Sequence, residues 1–240
     1  MTPELLAASS GSSGYWYLTR STGTVALLLL TASVVLGVVD VRRWSSQRWP
    51  RFVIDSLHRN TALLAMVFLV LHILTSVLDG FAPISLADAI VPFGGSYRPL
   101  WLGLGAVSFD LLIAIVLTSV MRARIGVTTW RTVHWLVYAS WPIALLHGLG
   151  TGSDVTRTWQ LAISVVCAAG VLLALLARVL DRAAASPAAR NAALGGAGAF
   201  SLFLALWLPS GPLGSDWARR SGTPTSLLPH ASAHNKGAKR

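Results

Sequence analysis

The sequence is short of cysteine, of charged residues and of the alternating pattern that half-buried strands produce. Its single cysteine, Cys167, cannot form an intrachain disulfide. Only 12% of the residues are charged, whereas 54% are hydrophobic and the mean hydropathy is +0.62. Because no apolar segment alternates at period two, β-strands are not expected. These absences exclude a disulfide scaffold and predict an all-α integral membrane protein.

The charge that is present is strongly basic, with a formal net charge of +10. The basic residues do not form one patch but fall in short clusters between apolar runs, as loop residues of membrane proteins do. We therefore expect no nucleic-acid binding. Residues 1–14 form a polar segment without a basic residue, so they lack the pattern of a secretory signal. The first apolar run is predicted to be retained as a helix.

Six apolar segments follow one another along the chain: residues 22–39, 53–78, 101–121, 129–150, 158–178 and 192–209. Most approach the roughly 20 residues that a helix needs to span a bilayer. Residues 15–209 are therefore predicted to form one bundle of six transmembrane helices. The long connection at residues 79–99 contains ISLADAIVPF, which predicts a short interfacial helix. Residues 210–240 are rich in Gly, Ser, Pro and Ala, and we expect a poorly ordered tail.

The distribution of arginine between the loops predicts the orientation. Arginines are concentrated around the loops that follow the first, third and fifth segments: Arg42, Arg43, Arg48, Arg51, Arg122, Arg124, Arg131, Arg178, Arg182 and Arg190. The opposite face has only Arg20, Arg98 and Arg157 before the tail. The positive-inside rule places the richer loops in the cytoplasm and both termini outside it. The chain is predicted to be a multi-pass cell-membrane protein in contact with lipid.

Four histidines lie within the second and fourth segments, where imidazole is costly and usually functional. Thirteen residues separate His58 from His72, and twelve separate His134 from His147. The two segments run in the same direction, so His58 is expected at the depth of His134, and His72 at the depth of His147. Along each helix the two histidines are about 20 Å apart, within a hydrocarbon core of roughly 30 Å.

Two histidine pairs at two depths predict two b-type haems between helices two and four. The chain has no C-x-x-C-H motif, which argues against covalently attached haem. Zinc is an alternative because imidazole binds it, but two layers of two histidines do not make a tetrahedral site. The histidines could also only bond one helix to another. His230 and His234 lie in the tail and are expected to be bystanders.

Helix phase limits this hypothesis. Fourteen steps of about 100° leave His72 about 40° from His58, on one face of a helix. Thirteen steps leave His147 about 140° from His134, which is not one face. Pro142 lies between them and breaks the helical hydrogen-bond ladder. The hypothesis therefore requires a local tightening of the fourth helix.

Haem propionates need cationic partners, which makes Arg59 and Arg131 candidates on the cytoplasmic side and Arg20 a candidate outside. Arg59 adjoins the first of the four histidines, and Arg131 lies one turn before the third. The alternative is that these arginines only set topology. Asp110, near the middle of the third segment, is expected to relay protons or to form an interhelical hydrogen bond.

The motifs LHRN…VLHILTS, LTSVMRARIGVTTWRTVHWLVY and WPIALLHGLGTGSD lie within residues 52–154. Together they resemble the ferric reductase-like transmembrane domain family. That family includes ferric reductases, NADPH oxidases and the haem-binding membrane subunit of the periplasmic methionine sulfoxide reductase system. The histidine spacing is similar to that of the oxidases, whereas the methionine sulfoxide reductase subunit has no counterpart of His58. The resemblance implies that the four histidines hold haem iron.

The ferric reductases and oxidases carry a cytoplasmic flavin and nicotinamide domain, whereas about 31 residues follow Pro209 here, without a glycine-rich phosphate loop. We therefore expect a separate flavoprotein or quinol donor and an outer-face acceptor, with flavin or quinone contributed only by a partner. The expected function is a cytochrome b-type subunit that moves electrons across the membrane. The alternatives are a haem-binding subunit feeding a periplasmic reductase or flavoprotein, and a small proton or metal transporter.

Overall fold

The computed structural model describes residues 14–41, 50–180 and 187–228, and within these ranges the chain is helical without a strand. The helices are α1 (Gly14–Val41), α2 (Arg51–Leu78), α3 (Pro99–Val120), α4 (Arg122–Ile125), α5 (Val127–His134), α6 (Val137–Thr151), α7 (Thr158–Leu180), α8 (Pro187–Ser210) and α9 (Trp217–Arg220). The prediction of an all-α fold is confirmed for these residues. Residues 1–13, Arg42, Arg43, Arg48, Arg182, His230 and His234 lie outside the described ranges.

Five helices in the described part of the chain are long and apolar enough to cross a membrane: α1, α2, α3, α7 and α8. Five of the six predicted spans thus correspond to long apolar helices, and the sixth transmembrane helix stays a prediction. The fourth apolar segment, residues 129–150, is divided between α5 and α6 by a turn at Trp135 and Leu136. The three glycines of the sixth segment do not interrupt α8.

The turn between α5 and α6 is a local tightening of the helix. Three amides bond to the carbonyl three residues back rather than four: Leu136 to Val133, Tyr138 to Trp135 and Ala139 to Leu136. Such 3₁₀ steps rotate the chain by about 120° per residue instead of about 100°. Three such steps add about 60° and reduce the offset between His134 and His147 from about 140° to about 80°. The tightening precedes Pro142, which has no N–H to offer to the carbonyl of Tyr138.

Two helix pairs have the most extensive packing: α1 packs along α2, and α3 packs along α6. Helix α1 also contacts α6 and α7, and these three helices share the core. The buried core contains Val34, Trp141, Leu145, Leu149, Val155, Cys167 and Val171. Helix α2, which carries His58 and His72, and helix α6, which carries His147, have little direct backbone packing on each other. Space therefore remains between them.

The chain after α8 folds back onto the bundle. Trp217 Nε1 donates to the carbonyl of Gly150 at 3.1 Å, and the backbone N–H of Arg98 donates to the carbonyl of Gly222 at 3.0 Å. The Trp101 ring lies against the rings of Trp207 and Trp217, at 4.9 and 5.2 Å between centroids. Residues 211–228 thus contact the bundle, because three tryptophans distant in sequence meet. The poorly ordered tail over residues 210–240 stays a prediction, and residues 229–240 lie outside the described ranges.

The long connection before α3 contains a short 3₁₀ helix, Leu86–Ala89, within the segment predicted to form a short interfacial helix. Ser85 and Asp88 form a capping box, in which the Asp88 carboxylate accepts from the backbone N–H of Ser85 at 2.8 Å. This closure limits the turn to four residues. The connection lies beside the gap between α2 and α6.

Candidate functional site

The four intramembrane histidines form two facing pairs across the gap. The ring centroids of His58 and His134 are 6.2 Å apart, and those of His72 and His147 are 6.3 Å apart. We call His58–His134 the first pair and His72–His147 the second pair. Two imidazoles that bind one metal ion from opposite sides, with bonds of about 2.0 Å, place their centroids roughly 6.3 Å apart. Both pairs therefore have the separation that a shared metal ion requires.

The His147 ring is held by helix α3. Its Nδ1 lies 2.9 Å from the backbone carbonyl oxygen of Trp101. Gly105, one turn further along α3, provides the space, because a Cβ there would lie 2.5 Å from His147 Nδ1. Any larger residue at this position would displace the ring from the carbonyl.

The histidines of α2 are held by α1 in the same way. His72 Nδ1 lies 2.8 Å from the carbonyl oxygen of Thr19, and a Cβ at Gly23 would lie 2.9 Å from the ring. His58 Nδ1 lies 2.9 Å from the carbonyl oxygen of Ser33. A Cβ on Gly37 would lie 3.2 Å from that ring. In all three cases the glycine follows the accepting carbonyl by four residues.

These contacts determine which ring nitrogen carries the proton. A carbonyl oxygen only accepts hydrogen bonds, so Nδ1 of His58, His72 and His147 must donate. In a neutral imidazole the lone pair then lies on Nε2, on the opposite side of the ring. Metal-binding histidines are commonly oriented by such a bond from the other nitrogen. The three carbonyls, with the space left by three glycines, therefore leave three Nε2 lone pairs available to a metal ion.

His134 is the exception. Its Nδ1 is buried and has no hydrogen-bond partner among the described residues. The ring instead lies against Trp130, with 5.1 Å between centroids, and the guanidinium of Arg122 lies 4.4 Å from the centroid of that indole. No backbone carbonyl fixes the tautomer of this histidine. The first pair is therefore less firmly oriented than the second.

A cavity of about 500 Å³ lies beside the second pair. Its lining includes His72 and His147, apolar residues of α1, α2 and α3, and part of the folded-back tail. Arg20, Arg98 and Asp154 contribute charged side chains to it. The cavity is thus apolar near the histidines and carries charged groups elsewhere on its wall, a combination suited to an amphipathic cofactor.

The three arginines predicted to bind haem propionates lie in different environments. Arg20 lines the cavity, where it forms an ion pair with Asp154, bonds to Ser153 and stacks on the Trp16 ring. Arg59 and Arg131 are exposed and form no hydrogen bond or ion pair within the described part of the chain. A role for these two in cofactor binding stays a prediction. Asp110 is half-buried and likewise bonds to none of the described residues.

Sequence reasoning missed Arg98, which it treated only as a charge on the outer face. Arg98 is 6% exposed and lines the same cavity as the second pair. Burial lowers the pKa of its guanidinium, but arginine remains protonated in proteins. The signal in the sequence was its position directly before Pro99, at the start of an apolar segment.

The described residues contain no cluster of three or more His, Cys, Asp or Glu side chains that could hold a metal ion by themselves. A metal at either pair would therefore need further ligands from outside the protein. A macrocycle that supplies four equatorial nitrogens, as haem does, meets this requirement with two imidazoles. The donor set fits haem better than a bare ion.

The curated proteins that are similar to this chain match just over half of its length. It is 30% identical over 141 residues to the protein-methionine-sulfoxide reductase heme-binding subunit MsrQ of Ralstonia nicotianae, which is 57% of this chain and 59% of that protein. It is 33% identical over 135 residues to the MsrQ of Bordetella pertussis, which is 55% of this chain and 59% of that protein. The matches thus span less than two thirds of these relatives.

No solved structure matches the chain. The family model described as "Ferric reductase like transmembrane component" matches residues 22–145, slightly more than half of the chain. The match includes His58, His72 and His134 and ends two residues before His147. The chain therefore belongs to the ferric reductase-like transmembrane component family.

Proposed function

We propose that this chain is a haem-binding membrane subunit that carries electrons across the membrane through two b-type haems, one held by each histidine pair. The observation that carries the proposal is the geometry of the pairs, at 6.2 and 6.3 Å between ring centroids. The relatives are named as heme-binding subunits of a reductase, which supports the same cofactor here.

The residues of the chain would bind and orient the cofactor rather than react themselves. His72 and His147 would supply Nε2 from opposite sides, while the carbonyls of Thr19 and Trp101 hold the proton on Nδ1. When bound, haem supplies one-electron chemistry. The apolar walls contributed by α1, α2 and α3 would exclude water from the iron ligands.

We propose separate partners on both sides of the membrane. Under the positive-inside rule the first pair would lie towards the cytoplasm and receive electrons from a flavoprotein or quinol. The second pair would lie towards the outer face, where an acceptor would take them. The relatives' names favour a reductase as that acceptor. Reporter fusions after Arg124 would test the orientation, since an extracytoplasmic reporter there would reverse it.

The proposal is tested by the haem content and absorption spectrum of the purified protein. We expect about two haems per chain with a low-spin bis-imidazole spectrum. His72→Ala and His147→Ala should each lose about one equivalent, and so should His58→Ala and His134→Ala. His230→Ala, in the tail, is the matched control and should retain both. A wild-type protein without a haem band would overturn the proposal and favour the transporter alternative.

A further inference from the structure

The cavity beside the second pair contains a buried positive charge without a carboxylate partner. Arg98 is 6% exposed. The only ion pair among the described residues joins Arg20 to Asp154, so the charge on Arg98 is not neutralised by a protein carboxylate within salt-bridge distance. A buried cation is costly unless an anion or several hydrogen bonds compensate it. Arg98 is therefore a place where the structure favours a bound anion.

The hydrogen bonds of Arg98 leave part of its guanidinium free. Nη1 donates to the carbonyls of Gly150 and Thr151 at 2.9 and 3.0 Å, and Nε donates to Thr223 Oγ1 at 2.9 Å. These bonds use three of the five N–H groups. Nη2 has no acceptor among the described residues. The two N–H groups of Nη2 therefore remain, and a carboxylate oxygen can accept a charge-assisted hydrogen bond from them.

The backbone holds Arg98 in this position at a cost. Its φ of 41° and ψ of 60° lie in the left-handed region, which is uncommon for a residue with a side chain. The bond from its N–H to the carbonyl of Gly222 maintains this conformation. Strain of this kind is often found at functional sites. Gly222 permits the approach, since a Cβ there would lie 3.1 Å from Pro99 Cδ.

The start of α3 adds a positive potential near the second pair. Arg98 is the N-terminal cap of α3, where the free amides and the helix dipole favour an anion. The carbonyls that Arg98 binds end α6, within one turn of His147. The acidic residues in the lining are Asp79, Asp88 and Asp154, of which Asp154 is paired with Arg20 and Asp88 caps a 3₁₀ turn.

We propose that Arg98 is the binding residue for a carboxylate in the cavity beside the second pair. The carboxylate would be either a propionate of the haem held by His72 and His147 or the carboxylate of a small soluble molecule that enters the cavity. This inference rests on the proposed function. Arg20 would be the weaker partner of the two, because Asp154 already neutralises it.

The experiment compares wild-type protein, Arg98→Gln and Arg98→Lys, each loaded with haem or with haem dimethyl ester, which lacks carboxylates. If the ligand is a propionate, Arg98→Gln should weaken binding of the second haem about tenfold and lower its midpoint potential. Arg98→Lys should recover part of both. The dimethyl ester should bind wild-type protein about as weakly as haem binds Arg98→Gln, with no further loss in the variant. Arg157→Gln, an exposed outer-face arginine, is the matched control.

The second arm uses succinate as the soluble carboxylate. If the ligand is a free carboxylate, Arg98→Gln should bind haem as wild-type protein does, while succinate shifts the spectrum of the second haem only in wild-type protein. Full haem content with no difference between Arg98→Gln and wild type in either arm overturns the proposal. If Arg98→Gln does not fold, the wild-type protein alone tests the proposal. Equal affinity for haem and for its dimethyl ester, together with no effect of succinate on the spectrum, also overturns the proposal. Wild-type protein without haem would instead contradict the proposed function.

Discussion

The two histidine pairs have the same spacing but different support. In the second pair both rings donate from Nδ1 to a backbone carbonyl, and a glycine makes room for each ring. In the first pair only His58 has such a partner, and His134 relies on contact with Trp130. The difference arises because α1 and α3 offer a backbone carbonyl to each ring of the second pair, whereas His134 meets none among the described residues. Two sites made from the same residue type can therefore differ in how firmly their side chains are oriented.

The cause of the difference is the turn between α5 and α6. His147 lies within α6, which packs along α3, so its ring faces the carbonyl of Trp101. His134 is the last residue of α5, just before the turn. The tightening brings His134 round towards His58 but leaves its Nδ1 without a carbonyl. Pairing at the first site is thus achieved without the backbone contact that orients the other three rings.

The largest expected effect is on the second pair. In Gly105→Ala the new Cβ would lie 2.5 Å from His147 Nδ1, so the ring must leave the Trp101 carbonyl. We expect the variant to lose about one of two haem equivalents, measured as the pyridine haemochrome. Gly195→Ala on α8, away from the cavity, is the matched control, because that Cβ meets nothing within 4 Å. Both changes favour the helix by up to about 1 kcal/mol, so a loss in Gly105→Ala alone cannot come from helix destabilisation. Retention of both haems would contradict the role assigned to Gly105.

A smaller effect distinguishes the pairs in the unmodified protein. Orientation of a metal-binding histidine by a second group is typically worth about 10- to 100-fold in affinity. We therefore expect the haem of the first pair to transfer to excess apomyoglobin roughly tenfold faster than that of the second. His58→Ala should remove the fast phase and His72→Ala the slow phase. A single phase, or the opposite assignment, would show that the His134 contact with Trp130 is as effective as a carbonyl.

The smallest effect is expected at Gly37, which supports the better-held ring of the first pair. A Cβ there would lie 3.2 Å from His58 Cε1, so a shift of a few tenths of an ångström relieves the contact. Gly37→Ala should therefore weaken haem binding at the first pair less than about tenfold, as measured by titration of the apoprotein. Gly196→Ala on α8, where the new Cβ meets nothing within 4 Å, is the control. Complete loss of that haem would show that Gly37→Ala disturbs haem binding as strongly as Gly105→Ala. That result would contradict the predicted difference between the two pairs.

Much of the architecture could be predicted from local patterns. Runs of apolar residues predicted the helices, because a helix that faces lipid must be apolar along most of its length. The spacing of the four histidines predicted their pairing, since depth along a helix is proportional to residue number. The phase argument also identified the fourth segment as the place where a regular helix could not satisfy the hypothesis. The structure has its turn in that segment, seven residues before Pro142.

The sequence by itself determined the all-helical class, the family and the position of each histidine along its helix. Only the tertiary structure decided which backbone carbonyl three of the imidazoles meet, and that His134 meets none among the described residues. It also brought Arg98 to the end of α6 and the three tryptophans together. These contacts join residues tens to more than a hundred positions apart, and they depend on helix rotation and on a glycine at the point of approach. Composition and periodicity describe one helix at a time. They therefore do not show which residues of a neighbouring helix a side chain will contact.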